Sequence, residues 1–316
     1  MKFFAWLCAI AVVAIVVFRV LVTPTAIAGE VRLLTWETRH AAAVPEANEQ
    51  NRELLALLRF GAAAVPEAMV MQFAYRGATA LGLNAEQAKS VEQLLADRYR
   101  RIAADPVFAE APSLIAYCYS AARPKNGAAT VFVPEHVDAT TPVIVFLHGY
   151  GGSFQYYLHF FASAFPGHII VCPVYGISTS KIASEYLAEC LAATAIELKL
   201  TLAKPTLVGL SAGGFGGFRE YARHPERYLG YICLAAYPPD DAGRAISPTG
   251  RSRLLAGATE GFVRDGTLSE AVARIRERAP DCESRVIAGA DHFFLLSEER
   301  QSAEILRAWL SEFESQ

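Results

Sequence analysis

The chain has 316 residues, 53% of them hydrophobic, so it can form one large domain with a sizeable core, or one domain with an appended module. Its net charge of −3 and the lack of long runs of like charge argue against nucleic-acid binding. The six cysteines form no Cys-x-x-Cys pair and show no zinc spacing to histidines, so we predict no metal site.

The first 28 residues are typical of a secretory leader. Lys2 precedes an apolar run over residues 3–18, and Ala26-Ile27-Ala28 fits a signal-peptide cleavage site. Residues 3–22 are also nearly long enough to span a bilayer, so a membrane anchor is the alternative interpretation. Both interpretations predict that the rest of the chain is extracytoplasmic, whether secreted, periplasmic or anchored at a membrane.

Residues 29–124 are predicted to be helical. The heptapeptide Ala-Ala-Ala-Val-Pro-Glu-Ala occurs at 41–47 and at 62–68, and each proline fits the first position of a helix. A further helix is indicated after the N-cap residue Asn84 by a periodic apolar face. The members of that face are Ala88, Val91, Leu94, Leu95, Tyr99 and Ile102. We interpret this segment as a cap over an active site, a docking surface, or packing for a catalytic domain.

From residue 125 to residue 316, β-rich runs alternate with helical runs, which predicts a mostly parallel sheet flanked by helices. The expected strands are Thr130–Val133, Val143–Leu147, His168–Val174, Thr206–Leu210, Tyr231–Ala235, Arg253–Ala256 and Arg285–Ala288. The expected helices are Ser180–Leu200, Phe215–Arg223, Ser269–Arg278 and Glu298–Phe313. Ligands of such sheets bind beyond the carboxyl ends of the strands, so residues that directly follow strands are the functional candidates.

One of these junctions has the sequence Gly209-Leu210-Ser211-Ala212-Gly213. It fits the G-x-S-x-G nucleophile elbow, in which a strained turn between a strand and a helix exposes a serine. Side chains at the two glycine positions would collide with the turn and the helix. On its own the pentapeptide is equally consistent with a glycine-rich turn. Its glycines lack the G-x-G-x-x-G order of a dinucleotide site, so we predict no cofactor.

A second junction, His148-Gly149-Tyr150-Gly151-Gly152, follows the expected strand Val143–Leu147. Its glycines would let backbone N–H groups turn toward a developing oxyanion, although a flexible loop is the alternative. We predict that the N–H groups of Tyr150 and Ala212 form the oxyanion hole and that His148 orients the loop.

A histidine that activates Ser211 is expected after a later strand, because imidazole has a suitable pKa to take the hydroxyl proton. Among seven histidines, only His292 lies C-terminal to the serine and directly after a strand. The acid that holds the tautomer of this histidine should lie between the two in the chain. Glu260 is the first choice, and Asp291 is discounted because it is adjacent to the histidine. The alternatives are Asp265, Asp240 and Asp241.

Together these motifs resemble those of the α/β-hydrolase superfamily over about residues 125–316. The resemblance is carried by His148-Gly149-Tyr150-Gly151-Gly152, Gly209-Leu210-Ser211-Ala212-Gly213-Gly214 and Gly289-Ala290-Asp291-His292. It implies an α/β-hydrolase fold with a Ser-acid-His triad. Aspartate is commoner than glutamate at the acid position in that family, so Glu260 departs from the pattern.

Aromatic side chains crowd these junctions and would line an apolar acyl or alcohol pocket. The residues predicted to contact the substrate are Gly151, Tyr156, Phe215 and Phe293. The expected reaction is the hydrolysis of a neutral, small-molecule carboxylic ester through a serine acyl-enzyme. The alternatives are a peptidase or an acyltransferase with the same triad, or an inactive hydrolase-like scaffold at a membrane surface.

Overall fold

An eight-stranded sheet is the framework of the protein. The computed structural model describes residues 27–40, 66–69, 85–118, 125–150, 152, 154–175 and 182–315. The predicted leader or anchor over residues 1–28 lies outside the described residues except for its last two positions, and residues 3–22 lie outside them entirely. Within the described ranges, every helix is too short or too polar to cross a bilayer.

The strand order in the sheet is β1-β2-β4-β3-β5-β6-β7-β8. Strands β3 to β8 pair in parallel, whereas β2 is antiparallel to both β1 and β4. The strands are β1 Gly29–Glu37, β2 Asn126–Pro134, β3 Val143–Leu147, β4 Ile169–Val174, β5 Thr206–Leu210, β6 Tyr231–Leu234, β7 Ser252–Gly257 and β8 Cys282–Ile287. This arrangement confirms the predicted fold class, and two of the expected strands, β3 and β5, have the predicted bounds.

Helices cover both faces of the sheet and enclose two apolar cores. The described helices are α1 Ala85–Ala104, α2 Ile115–Cys118, α3 Phe154–Ala164, α4 Ser184–Leu198, α5 Ala212–Arg223, α6 Asp240–Ala245, α7 Gly261–Arg264, α8 Thr267–Arg276, α9 Phe294–Ser297 and α10 Glu299–Glu314. One core joins the sheet to α1, α3, α9 and α10, and the other joins it to α4, α5 and α8. Strands buried on both faces explain the near-continuous apolar runs of β3 and β4.

The prediction that residues 29–124 are helical is wrong at the start of that segment, because Gly29–Glu37 is the edge strand β1. All nine of its residues pair antiparallel with β2, for example Leu33 with Thr130. Its partner lies about 90 residues further along the chain, so no hairpin turn next to β1 marks it as a strand in the sequence. The boundary predicted near residue 125 therefore does not separate the N-terminal segment from the sheet.

The helix predicted after Asn84 is present as α1, although Asn84 itself lies outside the described residues. The predicted apolar face is buried at Val91, Leu95, Tyr99 and Ile102. This helix contacts α3 and α9, and an ion pair between Arg98 and Glu299 joins it to α10. In the described part of the N-terminal segment, the longest helix thus packs on the helical layer beside the sheet. A cap over the active site stays a prediction, since residues 41–65 and 70–84 lie outside the description.

Candidate active site

The turn between β5 and α5 holds Ser211 in a conformation that L-residues rarely adopt, with φ +53° and ψ −116°. The glycines on either side fit where no side chain would. A Cβ atom on Gly209 would lie 2.3 Å from the carbonyl oxygen of Gly213, and a Cβ atom on Gly213 would lie 2.3 Å from that of Leu147. The close approach of strand, turn and helix is therefore the physical reason for the G-x-S-x-G spacing.

Two further loops bring an imidazole and a carboxylate to this serine. The Nε2 atom of His292 lies 3.1 Å from Oγ of Ser211. On the other side of the ring, Nδ1 lies 2.7 Å from Oε2 of Glu260. The carboxylate is buried, with 6% of Glu260 exposed, whereas 27% of the His292 side chain reaches solvent. The arrangement can therefore relay a proton from the serine hydroxyl to an imidazole whose orientation the carboxylate fixes.

Glu260 is oriented by the strand that precedes it. The N–H group of Gly257, the last residue of β7, donates to Oε1 of Glu260 at 2.9 Å, which leaves Oε2 for the histidine. Gly257 also lies against the histidine loop, because a Cβ atom on it would be 2.3 Å from the carbonyl oxygen of Asp291. Since β7 and β8 are parallel neighbours, their carboxyl ends bring the two loops into contact.

The structure does not bring the alternative acids to His292. Asp265 accepts a hydrogen bond at 3.0 Å from the N–H group of Thr267. Asp240 and Asp241 are ion-paired with Arg274 and Arg219 on the surface, and all three aspartates are exposed. A hydrogen bond from Arg219 lowers the pKa of Asp241, and one from Thr267 lowers the pKa of Asp265. Asp291, discounted in the sequence, accepts the N–H group of Phe293 at 2.8 Å and so braces the histidine loop.

The loop after β3 lies beside the serine. A Cβ atom on Gly149 would be 3.3 Å from Cβ of Ser211, and the N–H group of Gly152 closes a turn onto the carbonyl of Gly149 at 3.2 Å. Tyr150 lies inside this turn with a side chain that is 75% exposed, so its ring points to solvent. Ala212 begins α5, where the first N–H groups have no acceptor within the helix. Gly151 lies outside the described residues.

His148 is buried beneath this loop and acts within it. Its Nδ1 atom lies 2.7 Å from the carbonyl oxygen of Gly149, so the ring donates to that carbonyl, and Tyr175 stacks on the ring at 4.5 Å. Burial lowers the pKa of His148 to about 4. The ring is therefore neutral near pH 7, which agrees with the predicted role in loop orientation.

The aromatic residues predicted to contact the substrate have different positions. The prediction for Tyr156 is wrong: it is a buried core residue whose hydroxyl donates to the carbonyl of Leu295 at 2.6 Å. Phe293 is buried with its ring edge-on to His292, the centroids 5.5 Å apart. Phe215 is half-buried on the first turn of α5, and its N–H group donates to the carbonyl of Ser211 at 3.2 Å.

Two further aromatic residues that follow strand ends were not identified from the sequence. The ring of Tyr237 meets that of Phe215 at 5.2 Å, and the ring of Phe262 meets Tyr237 at 5.3 Å. Tyr237 follows β6 and Phe262 lies two residues after Glu260, so their position beyond strand ends was the available signal. The three half-buried rings pack against one another in series, beginning with Phe215 on the first turn of α5. Among the described residues, there is no cluster of three or more His, Cys, Asp or Glu side chains that could hold a metal ion.

Comparisons with known proteins concern the fold of the chain. Residues 142–258 match a protein-family model described as alpha/beta hydrolase fold. An esterase from Pyrococcus furiosus aligns with a TM-score of 0.50 at 10% identity, covering 60% of this chain and 88% of that one. A carboxyl esterase from Bacillus coagulans gives a TM-score of 0.50 at 10% identity, over 60% and 94% of the two chains. A thermostable esterase gives a TM-score of 0.46 at 18% identity, and the alignment covers 59% of each chain. No curated protein sequence matches the chain.

Proposed function

We propose that this protein is a serine hydrolase of the α/β-hydrolase superfamily that cleaves a neutral carboxylic ester. The observation that carries the proposal is the continuous series of contacts from Glu260 through His292 to a serine on a strained, solvent-accessible turn. A structural serine has no need of positive φ, a buried carboxylate and a partly exposed imidazole at the same time.

In the first half-reaction, Oγ of Ser211 attacks the ester carbonyl carbon while its proton passes to Nε2 of His292. The negative charge of Glu260 stabilises the imidazolium that forms. The carbonyl π electrons move to oxygen, and the N–H groups of Tyr150 and Ala212 donate to this oxyanion. When the oxyanion collapses, the C–O bond to the alcohol breaks, and His292 returns the proton to the leaving oxygen.

In the second half-reaction, water takes the position of the departed alcohol. His292 accepts a proton from the water, whose oxygen attacks the acyl carbon, and the resulting oxyanion uses the same two donors. Collapse then breaks the bond to Oγ, which takes the proton back from the imidazolium, and the carboxylic acid leaves.

The side chains around the triad support a neutral, apolar substrate. Phe293 packs against the catalytic imidazole, and the rings of Phe215, Tyr237 and Phe262 pack in series from the first turn of α5. Aromatic surfaces of this kind bind acyl or alkoxy groups through burial of apolar area.

The test is the hydrolysis of short aryl esters by purified wild-type protein and by Ser211→Ala. Because the nucleophile is lost, we expect kcat/KM to fall by about 10⁴-fold or more. Ser163→Ala, which alters an exposed serine on α3, is the matched control and should keep wild-type activity. Equal rates for Ser211→Ala and wild-type protein would show that hydrolysis does not use this serine.

A further inference from the structure

Glu67 is a buried carboxylate that the proposed reaction does not use. It belongs to a single helical turn at residues 67–69, and only 1% of it is exposed. Its Oε1 atom accepts the Tyr99 hydroxyl at 2.6 Å and the backbone N–H of Gln155 at 3.0 Å. Its Oε2 atom accepts the Ser113 hydroxyl at 2.7 Å. Four separate parts of the chain therefore meet at one side chain.

Packing alone does not explain why a carboxyl group occupies this buried position. A carboxyl group is costly to bury, and its burial raises the pKa of Glu67. An apolar residue of similar volume would fill the same space without that cost. What the carboxylate adds is an acceptor for backbone N–H groups in the first turn of α3, which have no partner within the helix.

The first turn of α3 connects the proposed oxyanion loop to the segment that follows His292. It begins directly after the loop that contains Gly149 and Tyr150. The side-chain amide of Gln155 donates to the carbonyl of Ala111 at 2.7 Å, which is a second link to the N-terminal segment. Tyr156 donates to the carbonyl of Leu295, three residues after His292. Movement of this turn would therefore displace the oxyanion loop relative to the histidine.

We propose that Glu67 is a positioning residue that holds the N-terminus of α3, and through it the N–H group of Tyr150, in the geometry that stabilises the oxyanion. This inference rests on the proposed serine hydrolase function. It makes the N-terminal segment part of the catalytic unit, joined to it through the Glu67 carboxylate. The Glu67 carboxylate then affects the turnover of every ester, because it acts on the stabilisation of the reacting oxygen rather than on substrate side groups.

Two variants separate this role from simple packing. Glu67→Leu keeps a similar volume but removes the acceptor from Gln155. Glu67→Gln can keep its carbonyl oxygen at the Oε1 position while its amide donates to the Ser113 hydroxyl, so the contact with α3 survives. We expect kcat for a short aryl ester to fall about 10- to 100-fold in Glu67→Leu, with KM within about twofold of wild type. Glu67→Gln should recover kcat to within about threefold.

The inhibition constant of a transition-state analogue tests the oxyanion hole directly. An aryl trifluoromethyl ketone forms a tetrahedral adduct with the serine whose oxygen anion occupies the proposed hole. Its inhibition constant should rise in Glu67→Leu by about the same factor as kcat/KM falls, and should stay near the wild-type value in Glu67→Gln.

The control is Tyr228→Phe, which removes a hydrogen bond from another buried carboxylate, that of Glu220. The Tyr228 hydroxyl donates to Glu220 at 2.9 Å, and Tyr228 belongs to the apolar core that does not include α3. Thermal unfolding of every variant is measured in parallel, and Tyr228→Phe should lower Tm while kcat stays within about twofold of wild type. If Glu67→Leu does not fold, Glu67→Asp takes its place, because it withdraws the carboxylate from Gln155 by one methylene and should lower kcat in the same way.

The outcomes distinguish the two proposals. Folded Glu67→Leu or Glu67→Asp with wild-type kcat and inhibitor affinity overturns the positioning role, and so does an equal loss of kcat in Tyr228→Phe. Wild-type protein that hydrolyses esters no faster than Ser211→Ala overturns the proposed function and the positioning role with it.

Discussion

The contacts of two carboxylate oxygen atoms determine which residue is the acid of the triad. Glu260 divides its two carboxylate oxygens between the Gly257 N–H group and the His292 ring. The sequence supplied this residue as one of four candidate acids, and its loop position favoured it over Asp240 and Asp241. Asp265 belongs to the same loop, so only the path of the chain after β7 separates it from Glu260. That path is set by the contact of Gly257 with the histidine loop, which no local pattern encodes.

The first residue-scale prediction concerns Glu260→Gln. The Gly257 N–H group requires an acceptor at the position of Oε1, so a glutamine must turn its carbonyl there and point its amide N–H groups at Nδ1. Nδ1 must then accept, which moves the ring proton to Nε2, where it cannot take the serine proton. We expect kcat to fall by about 10³- to 10⁴-fold at neutral pH.

The matched control for this substitution is Asp265→Asn, five residues further on in the same loop and exposed. It should retain kcat within about twofold, because the Asp265 carboxylate accepts the N–H group of Thr267, whereas His292 contacts Glu260. Activity that survives in Glu260→Gln and disappears in Asp265→Asn would reverse the assignment of the acid.

The second residue-scale prediction concerns the pH dependence of stability. The pKa of His148 is lowered by burial from 6.5 to about 4, so between these pH values the unfolded chain binds a proton that the folded chain does not. The free energy of unfolding therefore falls as the pH is lowered through this window. From this group alone we expect a loss of about 2 kcal/mol between pH 7 and pH 5.

Urea unfolding of wild-type protein and His148→Asn at both pH values measures this difference. Asparagine can keep a donor for the Gly149 carbonyl but does not titrate, so the loss on acidification should be smaller in the variant by about 2 kcal/mol. All other titratable groups are the same in the two proteins, so a difference in pH dependence reports on His148. An identical pH dependence would show that His148 titrates normally.

Among the elements, prediction succeeded where local signals agreed and failed where a distant partner decides the structure. Strands β3 and β5 are short apolar runs bounded by turn residues, and the sequence predicts both with their observed bounds. Strand β1 depends on a partner about 90 residues away, and the segment was predicted to be helical. Helix α3 was not predicted, because most of its residues are apolar and its polar stripe consists of only Gln155, His159 and Ser163.

The element-scale prediction concerns the packing of α5 against β3. A methyl group on Gly213 would lie 2.3 Å from the Leu147 carbonyl oxygen and 2.5 Å from that of His148. Neither backbone atom can move without displacing the sheet or the oxyanion loop. We therefore expect Gly213→Ala to lower the free energy of unfolding by at least about 2 kcal/mol and to reduce ester hydrolysis.

Gly167 provides the comparison, because nothing lies within 4 Å of a Cβ atom built on it. Gly167→Ala should change stability by no more than about 0.5 kcal/mol in the same denaturation experiment. Equal stabilities for the two variants would mean that α5 does not approach the sheet as closely as the structure indicates.

For the molecule as a whole, the sequence predicted the fold class and the order of its functional loops. It could do so because residues at the carboxyl ends of parallel strands converge whatever lies between them. It offered packing against a catalytic domain as one role of the N-terminal segment. It did not predict that β1 enters the sheet or that Glu67 bonds to α3, because both contacts join residues far apart in the chain.

The central claim is that these loops activate one serine. The most direct measurement is intact-protein and peptide mass spectrometry after treatment with a fluorophosphonate, which reacts with an activated serine and not with an ordinary hydroxyl. We expect the folded wild-type protein to gain one phosphonyl group on the peptide that contains Ser211, and Ser211→Ala and urea-unfolded wild-type protein to gain none. Folded wild-type protein that stays unlabelled, or a label that persists in Ser211→Ala, would contradict the account.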